Sequence, residues 1–216
     1  MVKPWAHHEA GLNKEYLITD GHEIRRVIDK SIYRRDLIAG SSPPATRKGV
    51  TLGSWSTQRY LLGVDEVPGK EWFGNTYTLS TPFYAQNFYI LVVFANSRPG
   101  GLRQLLGYRH GDIVHVDQTR NKVTLQNTDI VPEGALPKGP ILMELVCKNG
   151  KLRTVVNNVL KSTVPCSRVH FEGVGYDGTG SSHWDDYLFE ILWFQGKISW
   201  LKRKRYMRAS KRRWGL

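Results

Sequence analysis

Phe88-Tyr89-Ile90-Leu91-Val92-Val93-Phe94 is apolar at every position, so it offers no polar face to solvent. Such a run reads as a central strand buried on both sides, and it requires covering layers. Strand signals follow it at short intervals: Leu102 to Tyr108, Ile113 to Val116 and Val123 to Leu125. After a longer loop from Asn127 to Pro140 comes a meander, Ile141 to Cys147, Leu152 to Val156 and Val159 to Val164. Its turns are Asn149-Gly150 and Asn157-Asn158, residues that tolerate the positive φ of tight hairpins. His170 to Gly175 and Tyr187 to Phe194 are the last two strands expected. The 21 Gly and 10 Pro suit many short strands joined by turns. With no internal repeat, about a dozen strands and one terminal helix predict an all-β, two-sheet antiparallel sandwich.

The first 50 residues are less regular. Glu23 to Asp29 could be a short strand, followed by a loop from Lys30 to Leu37 and a surface loop at Gly40-Ser41-Ser42-Pro43-Pro44. Too few residues precede that loop for a separate core, so a single domain over 1–216 is expected, with 1–16 as an irregular arm. The adjacent His7 and His8 read as solvated. The sequence has neither an apolar run of membrane-span length nor a signal-peptide core, which predicts a protein made and used without secretion.

The chain end is the most charged part. Gly196 turns the chain, Ser199 is a helix N-cap, and a helix is expected over 199–214. At ~100° per residue, Trp200, Tyr206, Met207, Ser210 and Trp214 share one sector with Arg203. Lys202, Lys204, Arg205, Arg208, Lys211, Arg212 and Arg213 occupy the rest. From Gly196 to Leu216 there are nine Lys or Arg and no acid, against a net charge of +12 for the chain. The expectation is a helix clamped by both tryptophans and cationic outside. That surface has four readings: a solvated face, a dock for an acidic subunit, a nucleic-acid contact, or a membrane surface. Nucleic acid is disfavoured because the aromatics lie on the apolar face.

Cys147 and Cys166, the only cysteines, would end strands two apart in the meander, roughly 10 Å from each other by strand spacing. They are expected as reduced thiols, and no zinc-type spacing accompanies them.

Several segments match the motifs of a known family of β-sandwich domains. Asp20-Gly21-His22-Glu23-Ile24-Arg25-Arg26-Val27-Ile28-Asp29-Lys30-Ser31 is similar to the family's opening motif. Ser80-Thr81-Pro82 with Phe88 to Phe94 resembles its long strand, and Asn149 to Val159 its hairpin. Trp184 to Leu192, together with Trp214-Gly215-Leu216, resembles its ending. The resemblance, to concanavalin A-like (LamG-type) jelly-roll domains, implies a concanavalin A-like jelly roll and makes Glu190 a structural carboxylate in a hydrogen-bonded setting. At Trp72-Phe73-Gly74-Asn75-Thr76-Tyr77 the family's acidic residues are missing, so no calcium, other metal or cofactor is expected.

A glucanase of this fold class would need two carboxylates flanking the scissile bond. The alternating Glu-x-Asp-x-x-Glu signature is absent, and Asp185-Asp186 would point to opposite faces of a strand. The chain is therefore expected to be no enzyme. Tyr108-Arg109-His110 and His183-Trp184-Asp185-Asp186, at strand ends, combine aromatic faces with planar hydrogen-bonding groups and are the candidate glycan contacts. Trp72-Phe73 is expected in the core. By resemblance, a leaderless copy of this domain suggests a bacteriophage virion component, a head decoration or a fibre or spike subunit. It would be oligomeric and docked on capsid or tail proteins through Lys202, Lys204, Arg205, Arg208, Lys211, Arg212 and Arg213. The competing reading is a stand-alone lectin.

Overall fold

The computed structural model describes residues 3–9, 17–20, 23–39, 46–47, 60–62, 77–96, 100–107, 112–175, 187–214 and 216. Among these, the strands before the apolar run are β1 (Ala6–Glu9), β2 (Leu17–Asp20), β3 (Glu23–Val27), β4 (Leu37–Ala39), β5 (Thr46–Arg47), β6 (Tyr60–Leu62) and β7 (Tyr77–Ala85). The run itself is β8 (Phe88–Asn96), followed by β9 (Leu102–Leu106), β10 (Val114–Asp117), β11 (Lys122–Leu125) and β12 (Thr128–Val131). The meander is β13 (Gly139–Lys148), β14 (Lys151–Val156) and β15 (Val159–Pro165), and the chain closes with β16 (Val169–Val174), β17 (Tyr187–Gln195) and α1 (Trp200–Trp214).

These strands form a jelly-roll sandwich of two antiparallel sheets with one C-terminal helix. One sheet runs β15-β14-β13-β8-β17-β6-β5 with β1 also on β17; the other runs β12-β11-β10-β9-β16-β7-β4-β3-β2. All nine residues of β8 are buried, because each of its faces has its own cover. Toward the second sheet, Phe88 meets Phe83 edge-on at 6.2 Å, and Phe83 lies 5.2 Å from Trp193. On the opposite face, Tyr89 packs on Phe194 at 5.6 Å, and Phe194 packs on Tyr206 of α1 at 4.7 Å. The helix is thus a third layer over the centre of one sheet. Both predicted hairpin turns have the expected backbone, with positive φ at Asn149, Gly150, Asn157 and Asn158.

The N-terminal expectations need correcting. Within the predicted arm, Ala6–Glu9 is a strand paired with β17, and His8 is buried with its Nε2 2.8 Å from the Arg35 carbonyl. Strand alternation turns His8 inward and His7 toward the helix side. Leu37 begins a strand instead of ending a loop. Between β3 and β4, the carboxylate of Asp29 is a buried hub. It accepts from the backbone N–H groups of His7, Ser31 and Arg35 at 2.7 to 2.8 Å and from the Ser31 hydroxyl at 2.5 Å. Asp36 in turn accepts from the Asp29 N–H at 2.8 Å and from Arg26 Nε at 2.7 Å. The loop expected at 40–44 and the pair Trp72-Phe73 lie outside the described residues.

Candidate functional site

A cleft of about 500 Å³ opens near the β7–β8 turn, where the link between β15 and β16 crosses from one sheet to the other. Strand alternation puts Tyr84 of β7 and His170 of β16 on the outer face, and the two are register partners. Their rings lie 6.0 Å apart at 67°, and Tyr84 is 47% exposed. Arg168 donates from Nη1 to the Tyr84 hydroxyl at 2.9 Å, with its guanidinium 5.8 Å from the ring centre. That oxygen accepts from Arg168 and keeps its own O–H as a donor.

Asp112 fixes the far wall. Its Oδ2 accepts from the His170 N–H at 2.7 Å, its own N–H donates to the His170 carbonyl at 2.7 Å, and Oδ1 accepts from Gln126 Nε2. This clasp needs a glycine opposite: a Cβ on Gly107, where φ is +116°, would sit 2.4 Å from the Asp112 carbonyl oxygen. His170 Nε2 also stands 3.6 Å from Glu172. The cleft therefore presents one aromatic face ringed by planar and charged hydrogen-bonding groups.

Cys166 lines the same cleft. The two cysteines are closer than strand spacing suggests, since Cys147 Sγ is 3.5 Å from the Cys166 carbonyl oxygen. Cys166 follows the end of β15, where its N–H donates to the Gly150 carbonyl at 2.9 Å and so holds it beside the β13–β14 turn. Both are free thiols. Burial, with Cys147 alongside, pushes the Cys166 thiol up to about 12, and burial also raises Cys147.

None of the seven residues predicted to contact glycan is placed. Tyr108, Arg109, His110, His183, Trp184, Asp185 and Asp186 all lie outside the described residues, although the segment holding the first three leads directly into Asp112. The residues that do form the cleft were missed. Their one signal in the sequence was alternation: Arg168, His170 and Glu172 take every second position, with His170 and Glu172 on the outer face of β16 and Arg168 just before it.

The basic helix divides differently from the prediction. Arg205, Arg208 and Arg212 are exposed, while Lys202, Lys204 and Lys211 are half-buried. Arg213 turns inward, where its guanidinium binds Glu190 Oε1. A bulge in the β17–β8 pairing at Phe189 explains this, because it directs both Phe189 and Glu190 to the helix side. Phe189 packs on Trp214 at 5.2 Å, and Trp214 Nε1 donates to Glu190 Oε2 at 2.9 Å. His7 Nε2 completes the cluster, 2.7 Å from Oε1. Burial opposes the Glu190 charge, but the contacts with His7, Arg213 and Trp214 outweigh it and hold the carboxyl below its usual range. Glu190 is the structural carboxylate the resemblance implied. Trp214 is buried as expected. Trp200 is not: it is 62% exposed, with Lys204 Nζ 4.6 Å above its ring. Trp200 opens the helix one turn before the covered face begins, so only the later aromatics reach the sheet.

No family model matches the sequence, and no curated protein matches it. Among solved structures, the chain is similar to an arabinofuranosidase complexed with arabinofuranosyl-α-1,2-xylobiose, with TM-score 0.59 and 9% identity, over 86% of this chain and 50% of that one. It is also similar to Trypanosoma rangeli sialidase in complex with a difluoro-KDN, with TM-score 0.49 and 10% identity, over 95% of this chain and 32% of that one. A third is the VIP36 exoplasmic/lumenal domain in its Ca²⁺- and Man3GlcNAc-bound form, with TM-score 0.38 and 11% identity, over 74% and 86%. The chain spans half of the arabinofuranosidase chain and a third of the sialidase chain. At these identities the likeness is one of fold. One expectation is overturned by it. The missing carboxylate signature predicts no enzyme, yet this architecture occurs within an arabinofuranosidase, so the missing signature does not exclude an enzyme. Among the described residues, no helix is long and apolar enough to cross a membrane.

Proposed function

We propose that this protein is a lectin-like, carbohydrate-binding sandwich whose site is the cleft around Tyr84. The observation that carries the reading is the exposed Tyr84 ring, bracketed by Arg168 and His170 in a cleft of about 500 Å³. A sugar ring has an apolar face for stacking and a rim of hydroxyls. It is matched by an aromatic surface with a few oriented polar groups around it. A glycan array followed by calorimetry on the best ligand tests this. Tyr84→Ala and Arg168→Ala should each weaken binding about tenfold or more while leaving the melting temperature unchanged. Full affinity in both variants would remove the site from this cleft.

The outward cations of α1 support a second proposal, docking on an acidic surface of a larger assembly. The particular assembly proposed is a bacteriophage head or tail, on the sequence resemblance to concanavalin A-like jelly rolls. Charge reversal at Lys202, Arg205 and Arg208 should then reduce incorporation into particles, and unchanged incorporation counts against it.

A further inference from the structure

A second hollow, of about 390 Å³, lies between α1 and the β14–β15 hairpin, on the open side of the sheet where β15 is the edge strand. Its walls include Trp200, Leu160, Val155 and Met207. Trp200 and Leu160 are 62% and 48% exposed. Strand pairing sets Leu160 beside Val155 on this face, so Leu160 and Trp200 are two large exposed apolar side chains that share the hollow. The rim is cationic, with Arg153 from the hairpin and Lys204 from the helix. The single acid among the described lining residues, Glu144, is buried and neutralised by Arg203, whose Nη2 is 3.2 Å from its Oε2. What the hollow offers a ligand is therefore apolar surface and positive charge.

We infer that this groove binds an acidic segment of a partner protein, with a large apolar side chain seated against Trp200 and Leu160 and carboxylates on Arg153 and Lys204. The charge complementarity selects the partner, because Arg153 and Lys204 rim the groove, the segment from Gly196 to Leu216 contains no acid of its own, and the groove's carboxylate is already paired with Arg203. Trp200 is suited to anchor the contact. Tryptophan and arginine dominate binding energy where a pocket excludes water around them. A nucleic-acid track would need successive aromatic platforms, and Trp200 is the one aromatic residue lining this hollow. The inference deepens the docking proposal, since it adds a specific pocket to a charged face.

The test is selection from a library of short random peptides displayed against the full chain, followed by fluorescence titration of the enriched peptides. Enriched sequences should combine Asp or Glu with a Leu, Phe or Trp, quench tryptophan emission on binding, and weaken as salt rises. Trp200→Ala should cost at least about tenfold in affinity, and Arg153→Glu a similar factor. Both side chains reach solvent, so the variants should keep the wild-type melting temperature. Enrichment without acidic residues, or unchanged affinity in Trp200→Ala, overturns the groove. So does a duplex oligonucleotide or an anionic vesicle that competes at this face. Failure of the broader docking proposal is separable: it shows as unchanged particle incorporation on reversing Arg205 and Arg208, which lie outside the groove lining.

Discussion

Trp214 donates its indole N–H to Glu190 Oε2 at 2.9 Å, across the seam between the last turn of the helix and the strand it covers. The other carboxylate oxygen holds His7 from the first strand and Arg213 from the helix. A single buried acid thus joins the N-terminal strand, a central strand and the helix end. Glu190→Ala would remove the acceptor of Trp214 Nε1 and the buried carboxylate that His7 and Arg213 share. The expected loss is roughly 3–5 kcal/mol of unfolding free energy by denaturant titration, and a loss under 1 kcal/mol would show that the cluster does not hold the helix.

His8 makes stability depend on pH. Burial lowers its pKa from 6.5 to about 4 in the folded protein. Between those values the unfolded chain binds a proton that the folded chain refuses. The stability is therefore complete above pH 6.5 and declines as pH falls toward 4. The full effect is roughly 3 kcal/mol, read from denaturation midpoints across that window. His8→Gln keeps a donor for the Arg35 carbonyl and should flatten the slope. Glu190, with its depressed folded pKa, works in the same direction but at lower pH, as the solution falls below the usual glutamate value of 4.5.

The raised thiol pKa values predict inert cysteines. At neutral pH, Cys147 and Cys166 should react with a thiol reagent far more slowly in the native protein than in denaturant, where both should label fully. Rapid native labelling of Cys166 would mean that the floor of the Tyr84 cleft opens readily.

Asn158, with φ of +71°, tests the meander turn. Asn158→Gly should be nearly neutral, whereas Asn158→Val should cost about 1–2 kcal/mol by forcing a β-branched residue into the left-handed region. Equal stability of the two variants would argue against this turn geometry.

The sequence made the layered sandwich legible because β8 is apolar throughout and the meander turns carry Asn-Gly and Asn-Asn. It also pointed to Glu190 and to the segment containing Asp29 and Ser31. What it hid was long-range pairing. Nothing local in Ala6-His7-His8 announces a partner as distant as β17, and that pairing is what buries His8. The orientation of Arg213 was equally hidden, because helical periodicity cannot foresee a bulge that turns Glu190 toward it. Tyr84, Asp112 and Arg168 come from separate strands and links. They become neighbours only when the sheets are assembled, so no spacing in the chain could have grouped them.

The position of β17 also fixes a timetable. It is the neighbour of β8, β6 and β1, so the middle of that sheet stays incomplete until residues 187–195 have left the ribosome. The hairpins of the meander can zip locally while synthesis continues, but β8 must wait, with its apolar flank uncovered, for a segment about a hundred positions downstream. A nascent chain stalled before Tyr187 would be the form most in need of a chaperone.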